Sequence, residues 1–124
     1  MKTVIIENQS ISLRSALSAG YCDSFLCRLK GLMFRKGIPE DWGLLLVQPT
    51  ESVVNSAIHM FAVPFNLGVI WINQDGIVVD TAEVKKWVGI KSPKQPARYI
   101  LEVTPSRLNE FNLGDKILFV DYGP

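Results

Sequence analysis

Apolar positions along this chain alternate or cluster in short runs, a pattern that predicts strands far more often than helices. The plainest case is Val69-Ile70-Trp71-Ile72, then Asn73-Gln74-Asp75-Gly76, then Ile77-Val78-Val79-Asp80. Two β-branched runs joined through Asp-Gly predict a hairpin whose tight end needs a positive φ. Both runs are apolar at successive positions, so both faces of these strands need cover, as in a small curled barrel. Leu44-Leu45-Leu46-Val47 predicts another strand buried on both sides, and therefore central.

Weaker patterns fill in the remainder. Residues 3–7 and 11–17 predict an opening hairpin about the turn-forming Asn8-Gln9-Ser10. Residues 56–65 contain Pro64, which argues for an extended or edge segment with His59 near a strand end. Residues 83–97, with Pro93 and Pro96, read as one long loop. Residues 99–103 and 116–120 predict the last two strands, with Thr104-Pro105 opening a short helix between them. Helical spacing is confined to Cys22, Phe25, Leu26, Leu29, Leu32 and Met33, with Asp23 or Ser24 to cap the start and Gly31 to end it. On such a helix Cys22 and Cys27, five positions apart, face differently and lie beyond disulfide reach.

The fold class expected is mainly β (α+β): a small curled or partly closed antiparallel β-barrel with one or two short helices. A chain of 124 residues supports one hydrophobic core, hence a single domain over residues 1–124. Its 48% hydrophobic and 20% charged content belongs to a chain that folds without a partner. With 13 basic and 12 acidic side chains, any pull toward nucleic acid or an anionic surface must come from a local patch. The apolar run near the N-terminus is too short for a signal-peptide core, and no stretch reaches the roughly 18 apolar residues of a spanning helix. The compartment expected is therefore the cytoplasm, where a structural disulfide is not.

The run Arg28-Leu29-Lys30-Gly31-Leu32-Met33-Phe34-Arg35, followed by Gly43-Leu44-Leu45-Leu46-Val47, resembles the opening motif of the domain of unknown function 192 family of bacteria and archaea. Ile58-His59-Met60 with Pro64-Phe65, Asp75-Gly76-Ile77-Val78, and Pro96 through Val103 with Gly114-Asp115 agree with it in order. The resemblance implies a small β-rich single domain and no known reaction. Where many members carry Leu-Asp this chain has Leu67-Gly68, and His59 stands where relatives often show Trp.

Candidate chemistry is sparse. His59 is the only histidine, flanked by Ile58 and Met60, and packing explains it more readily than catalysis. A Cys22 or Cys27 nucleophile paired with His59 would be the enzyme alternative, although both thiols sit among apolar positions. The C-x4-C spacing fits zinc poorly, so no metal and no cofactor are expected. The groove expected to bind a small molecule or peptide segment comprises Arg35, Trp42, His59 and Met60, which makes the protein a non-catalytic binding module. The alternative is an accessory nucleic-acid binder through Lys85, Lys86, Trp87, Lys91, Lys94 and Arg98, cations beside an aromatic with no acidic residue among them. A monomer or weak dimer is expected, because exposed edge strands permit pairing.

Overall fold

The computed structural model describes residues 1–87 and 89–121. Seven strands form one sheet in the order β6-β5-β8-β3-β2-β1-β9. They are β1 Thr3–Asn8, β2 Ser18–Cys22, β3 Trp42–Ser52, β5 Leu67–Ile72, β6 Val78–Val84, β8 Ala97–Val103 and β9 Ile117–Asp121. Two short strands, β4 Ile58–His59 and β7 Ile90–Lys91, pair with each other apart from it. The chain is mainly β, with one helical turn and a half, α1 Phe25–Lys30, and a 3-10 helix, Pro105–Glu110.

The expected curled or partly closed antiparallel barrel needs correction on two points. The edge strands approach through a single bridge, Ile77 to Lys116, without forming a ladder, so the sheet stays open. The β2–β3 pair is parallel, with Gly20 opposite Leu44, because α1 and the loop behind it return the chain to the same end of the sheet.

The hairpin at Asp75-Gly76 forms as its sequence predicts. Strand β5 pairs β6 from Leu67–Val84 to Trp71–Asp80, the register shifts by one residue to Ile72–Val78, and Gly76 turns the chain at φ 82°. Strand β3 lies between β2 and β8 with Gly43 through Val47 buried, as the four-residue apolar run requires. Its alternation divides two cores: Leu45 and Val47 join Ile6, Ile70, Leu101 and Phe111 on one face, and Leu44 and Leu46 join Met60, Val69, Trp71 and Ile100 on the other. Trp71 is fully buried, and its indole N–H donates to the Ser56 carbonyl at 2.8 Å. Arg107, also buried, fastens the first core's end: its guanidinium reaches the Glu110 carboxylate, the Ser15 carbonyl and the Glu40 carbonyl.

Three local expectations shift. The partner of β1 is residues 18–22 rather than 11–17, so the opening hairpin has a longer connection. Within residues 83–97, β6 runs on to Val84 and β7 takes residues 90 and 91. The helix starts at Phe25, not Cys22, with Ser24 as cap accepting from the Cys27 N–H at 3.1 Å. Cys22 therefore ends β2, its Cα lies 5.6 Å from that of Cys27, and the two form a disulfide. A continuous helix through both residues would have kept them apart; the strand-to-helix corner brings them together. The apolar stripe of α1 faces outward, leaving Phe25, Leu26 and Leu29 exposed. Among the described residues no helix is long and apolar enough to cross a membrane.

Candidate functional site

Among the described residues, strand β8 carries the one buried side-chain polar atom that the fold leaves without a hydrogen-bond partner. Tyr99 to Val103 alternate, so Glu102 shares its face with Ile100, which belongs to the second core. Its neighbours across the ladder are Leu44 on β3 and Val69 on β5. Glu102 is 5% exposed, and its Oε1 accepts no hydrogen bond in the structure. Desolvation pushes its carboxyl up to about 8, so at neutral pH it holds its proton. A small cavity of about 40 Å³ opens on it, lined also by Arg28, Lys30, Leu32, Ile58, His59 and Leu67. An open groove of about 410 Å³ adjoins it through Arg28, Leu46, Ala57 and His59, with Phe25 and Leu29 along its rim.

The backbone holds this arrangement tightly. A Cβ on Gly43 would stand 2.6 Å from the Glu102 carbonyl oxygen, so a side chain there would force β8 away from β3. The Arg28 Nη1 donates to the Asp23 and Val47 carbonyls, pinning the guanidinium across the groove. His59 ties β4 to neighbouring backbone: the Phe61 N–H donates to Nδ1 at 3.3 Å, which leaves Nε2 to donate to the Leu29 carbonyl at 3.4 Å. Both ring nitrogens are thus occupied, the arrangement of a structural tether.

The residues expected to form one groove are divided among three openings. Arg35 lies over the Trp42 ring at 4.7 Å and lines an opening with Cys27 and Met33. His59 lies on the Glu102 cavity. Met60 is buried beneath an apolar opening shared with Phe34, Phe61 and Trp87. The basic segment is likewise dispersed. Lys85 pairs with Glu83 at 2.9 Å, and the Lys94 N–H donates to the Asp80 carboxylate. Arg98 donates to the Gln48 carbonyl and lies over Tyr99, while Lys86 flanks the exposed Trp87 and Lys91 sits in β7. The Cys–His pair has no thiol to offer, since both cysteines are in the disulfide. Among the described residues no cluster of three His, Cys, Asp or Glu side chains could hold a metal.

Sequence reasoning passed over Glu102 and Arg28. The available signal was Ile100, apolar and two positions away: a strand face that carries an isoleucine there is not a solvent face for Glu102.

The sequence profile described as Uncharacterized ACR, DUF192, matches residues 5–119. The chain belongs to the DUF192 family. Among curated relatives, a UPF0127 protein of Pyrococcus horikoshii is 36% identical over 116 residues, covering 91% of this chain and 96% of its own. A UPF0127 protein of Thermococcus kodakarensis is 40% identical over 80 residues, covering 64% of this chain, and this match spans about half (49%) of that relative's length. Two crystal structures share the fold of this DUF192 chain. A protein of Sinorhizobium meliloti, described as a candidate transcription regulator, superposes with a TM-score of 0.80 at 20% identity, over 95% of this chain and 92% of its own. A protein of unknown function from Novosphingobium aromaticivorans gives 0.73 at 19% identity, over 94% and 83%.

Proposed function

We propose that this DUF192 protein is a non-catalytic binding module that takes a small molecule in the groove crossing α1, β3 and β4, with the ligand's amine reaching Glu102. The supporting observation is the bare Glu102 carboxyl at the head of a polar-mouthed cavity. A buried carboxyl without a partner costs stability, and a cationic group delivered from outside removes that cost. The inner space of about 40 Å³ exceeds the roughly 10–15 Å³ that one water-sized group needs, so it admits a head group such as an ammonium. Arg28 and Lys30 at the mouth would repel a simple polyamine but suit an acidic group at the ligand's other end. The class of ligand is thus a small zwitterion of the amino-acid kind.

A carboxyl that keeps its proton to about pH 8 must release it to pair with an ammonium. Affinity is therefore expected to rise with pH, by at most about tenfold per unit, up to that value. Calorimetric titration of free amino acids and simple amines in buffers of different ionisation enthalpy reads both binding and proton release. Binding with proton release in the native protein and its loss in Glu102→Gln are the expected results. Equal binding by Glu102→Gln, or none by either class of compound, defeats the proposal.

A further inference from the structure

Three loops converge at the edge of the β4–β7 pair, and each presents one large aromatic side chain to solvent. Backbone hydrogen bonds fasten them: the Phe34 N–H donates to the Ala62 carbonyl at 2.8 Å, and the Met60 N–H to the Gly89 carbonyl at 3.2 Å. The β4–β7 ladder places Ile90 opposite His59 beside them. Phe34 is 74% exposed, Phe61 70% and Trp87 61%, and Ile90 is exposed next to them. Phe34, Phe61 and Trp87 surround an almost wholly apolar opening of about 480 Å³ floored by Met60, Ala62 and Pro64.

Backbone strain is concentrated at the same place. Phe34, Ala62 and Trp87, at φ 65°, 56° and 63°, are the non-glycine residues with positive φ among those described, and all three line this opening. Such conformations cost on the order of 1–3 kcal/mol each and persist where the surroundings impose them. At Phe34 and Trp87 they accompany aromatic side chains that stay exposed, a position that burial does not reward.

The flanking charge has one sign. Arg35 and Lys36 follow Phe34, Lys85 and Lys86 precede Trp87, and Lys91 follows Ile90, while residues 33–36, 60–64 and 84–91 contain no acidic side chain. Lys85 is paired with Glu83, and Arg35 lies over Trp42, which leaves Lys36, Lys86 and Lys91, each one or two positions along the chain from Phe34, Trp87 or Ile90, without an ion pair among the described residues. Exposed aromatics that sit at the water–lipid boundary, surrounded by lysines that attract anionic headgroups, form the pattern of a surface that docks on a bilayer without crossing it.

We infer that the three loops bearing Phe34, Phe61 and Trp87 form a docking surface for an anionic lipid bilayer, inserting these side chains to headgroup depth. A single nucleic-acid strand is the poorer fit, because the cations are outnumbered locally by apolar surface that phosphates would not cover. This inference is independent of the Glu102 groove.

Sedimentation with sucrose-loaded vesicles tests it, comparing phosphatidylcholine alone with phosphatidylcholine containing phosphatidylglycerol. Binding is expected to the mixed vesicles, to weaken with salt, and to be accompanied by quenching of Trp87 fluorescence by bromine-labelled acyl chains. The variants Phe61→Ser and Trp87→Asn, the latter keeping a residue that tolerates positive φ, are expected to reduce partitioning roughly tenfold or more with unchanged melting temperature. Lys36→Gln with Lys86→Gln, which leaves the aromatics in place, is expected to abolish the preference for phosphatidylglycerol. Absence of binding to mixed vesicles, or binding indifferent to the aromatic variants, overturns the inference. So does displacement of the protein by single-stranded oligonucleotide without bromine quenching, or concentration-dependent self-association, removed by Trp87→Asn, in a protein that ignores vesicles.

Discussion

Glu110 and Glu102 are both buried glutamates, yet the fold treats them oppositely. Desolvation alone would raise the Glu110 carboxyl, but hydrogen bonds and charge from Arg107 and Arg14 outweigh it and hold the group below the usual carboxylate range. Around Glu102 no such partners gather, and burial alone pushes it up to about 8. The first region is sealed by side chains at the 3-10 helix. The second meets a cavity. A fold that can satisfy one buried carboxylate completely leaves the other available, and that contrast is what sets the Glu102 side of the molecule apart as a site.

Breaking the sealed region is expected to have the largest effect. Arg107→Met leaves the Glu110 charge with Arg14 as its remaining partner and is expected to cost about 3–5 kcal/mol, read as a lower denaturant midpoint at neutral pH. A loss under about 1 kcal/mol would mean that Glu110 is satisfied by other groups. Next in size is Glu102→Gln. Because the folded-state value of Glu102 lies above its unfolded value of 4.5, the native protein gains from holding this proton at low pH. That stability is complete below about 4.5, falls as pH rises, and is lost above about 8. Glu102→Gln removes this slope, so the variant is expected to gain on the native protein by a few kcal/mol toward pH 9. Parallel stability profiles would refute the assignment. Glu110 has the reverse sign: its contribution is present at neutral pH and is lost as pH falls through its lowered value.

The disulfide gives a smaller effect. Cys22 and Cys27 close a short loop, which in the chain-entropy account contributes about 2 kcal/mol. Replacing both by serine is expected to lower the melting temperature by that modest amount and to leave the sheet intact by circular dichroism. Detection of two free thiols by alkylation of the purified, unreduced protein would contradict the bond itself. Phe61→Ser is expected to leave stability nearly unchanged, because its side chain is exposed.

What could be read from the sequence follows from how locally each element is determined. The β5–β6 hairpin and the double-sided burial of β3 are written in runs of β-branched and leucine residues. Strand β2, Ser-Ala-Gly-Tyr-Cys, carries little strand propensity and forms because β1 and β3 enclose it. The helical stripe of residues 25–29 is real as a pattern, but packing leaves it facing solvent. The adjacency of Arg35 and Trp42 emerged, whereas the distribution of His59 and Met60 to other openings depended on the β4–β7 pair, which two residues per strand do not announce. Glu102 looked like any polar residue in an alternating strand; only its register against Leu44 and Val69 makes it interior.

Arg107 meets Ser15 across ninety-two residues of chain, and β1 pairs with β9 from nearly the opposite end. During synthesis, β3 must therefore wait for β8, and β1 must wait for β9. Loops of this length close slowly, so folding is expected on the millisecond-to-second scale of non-local β topologies rather than the microseconds of helical bundles. The half-made sheet, with its apolar edges uncovered, is the state in which this protein is most exposed to aggregation.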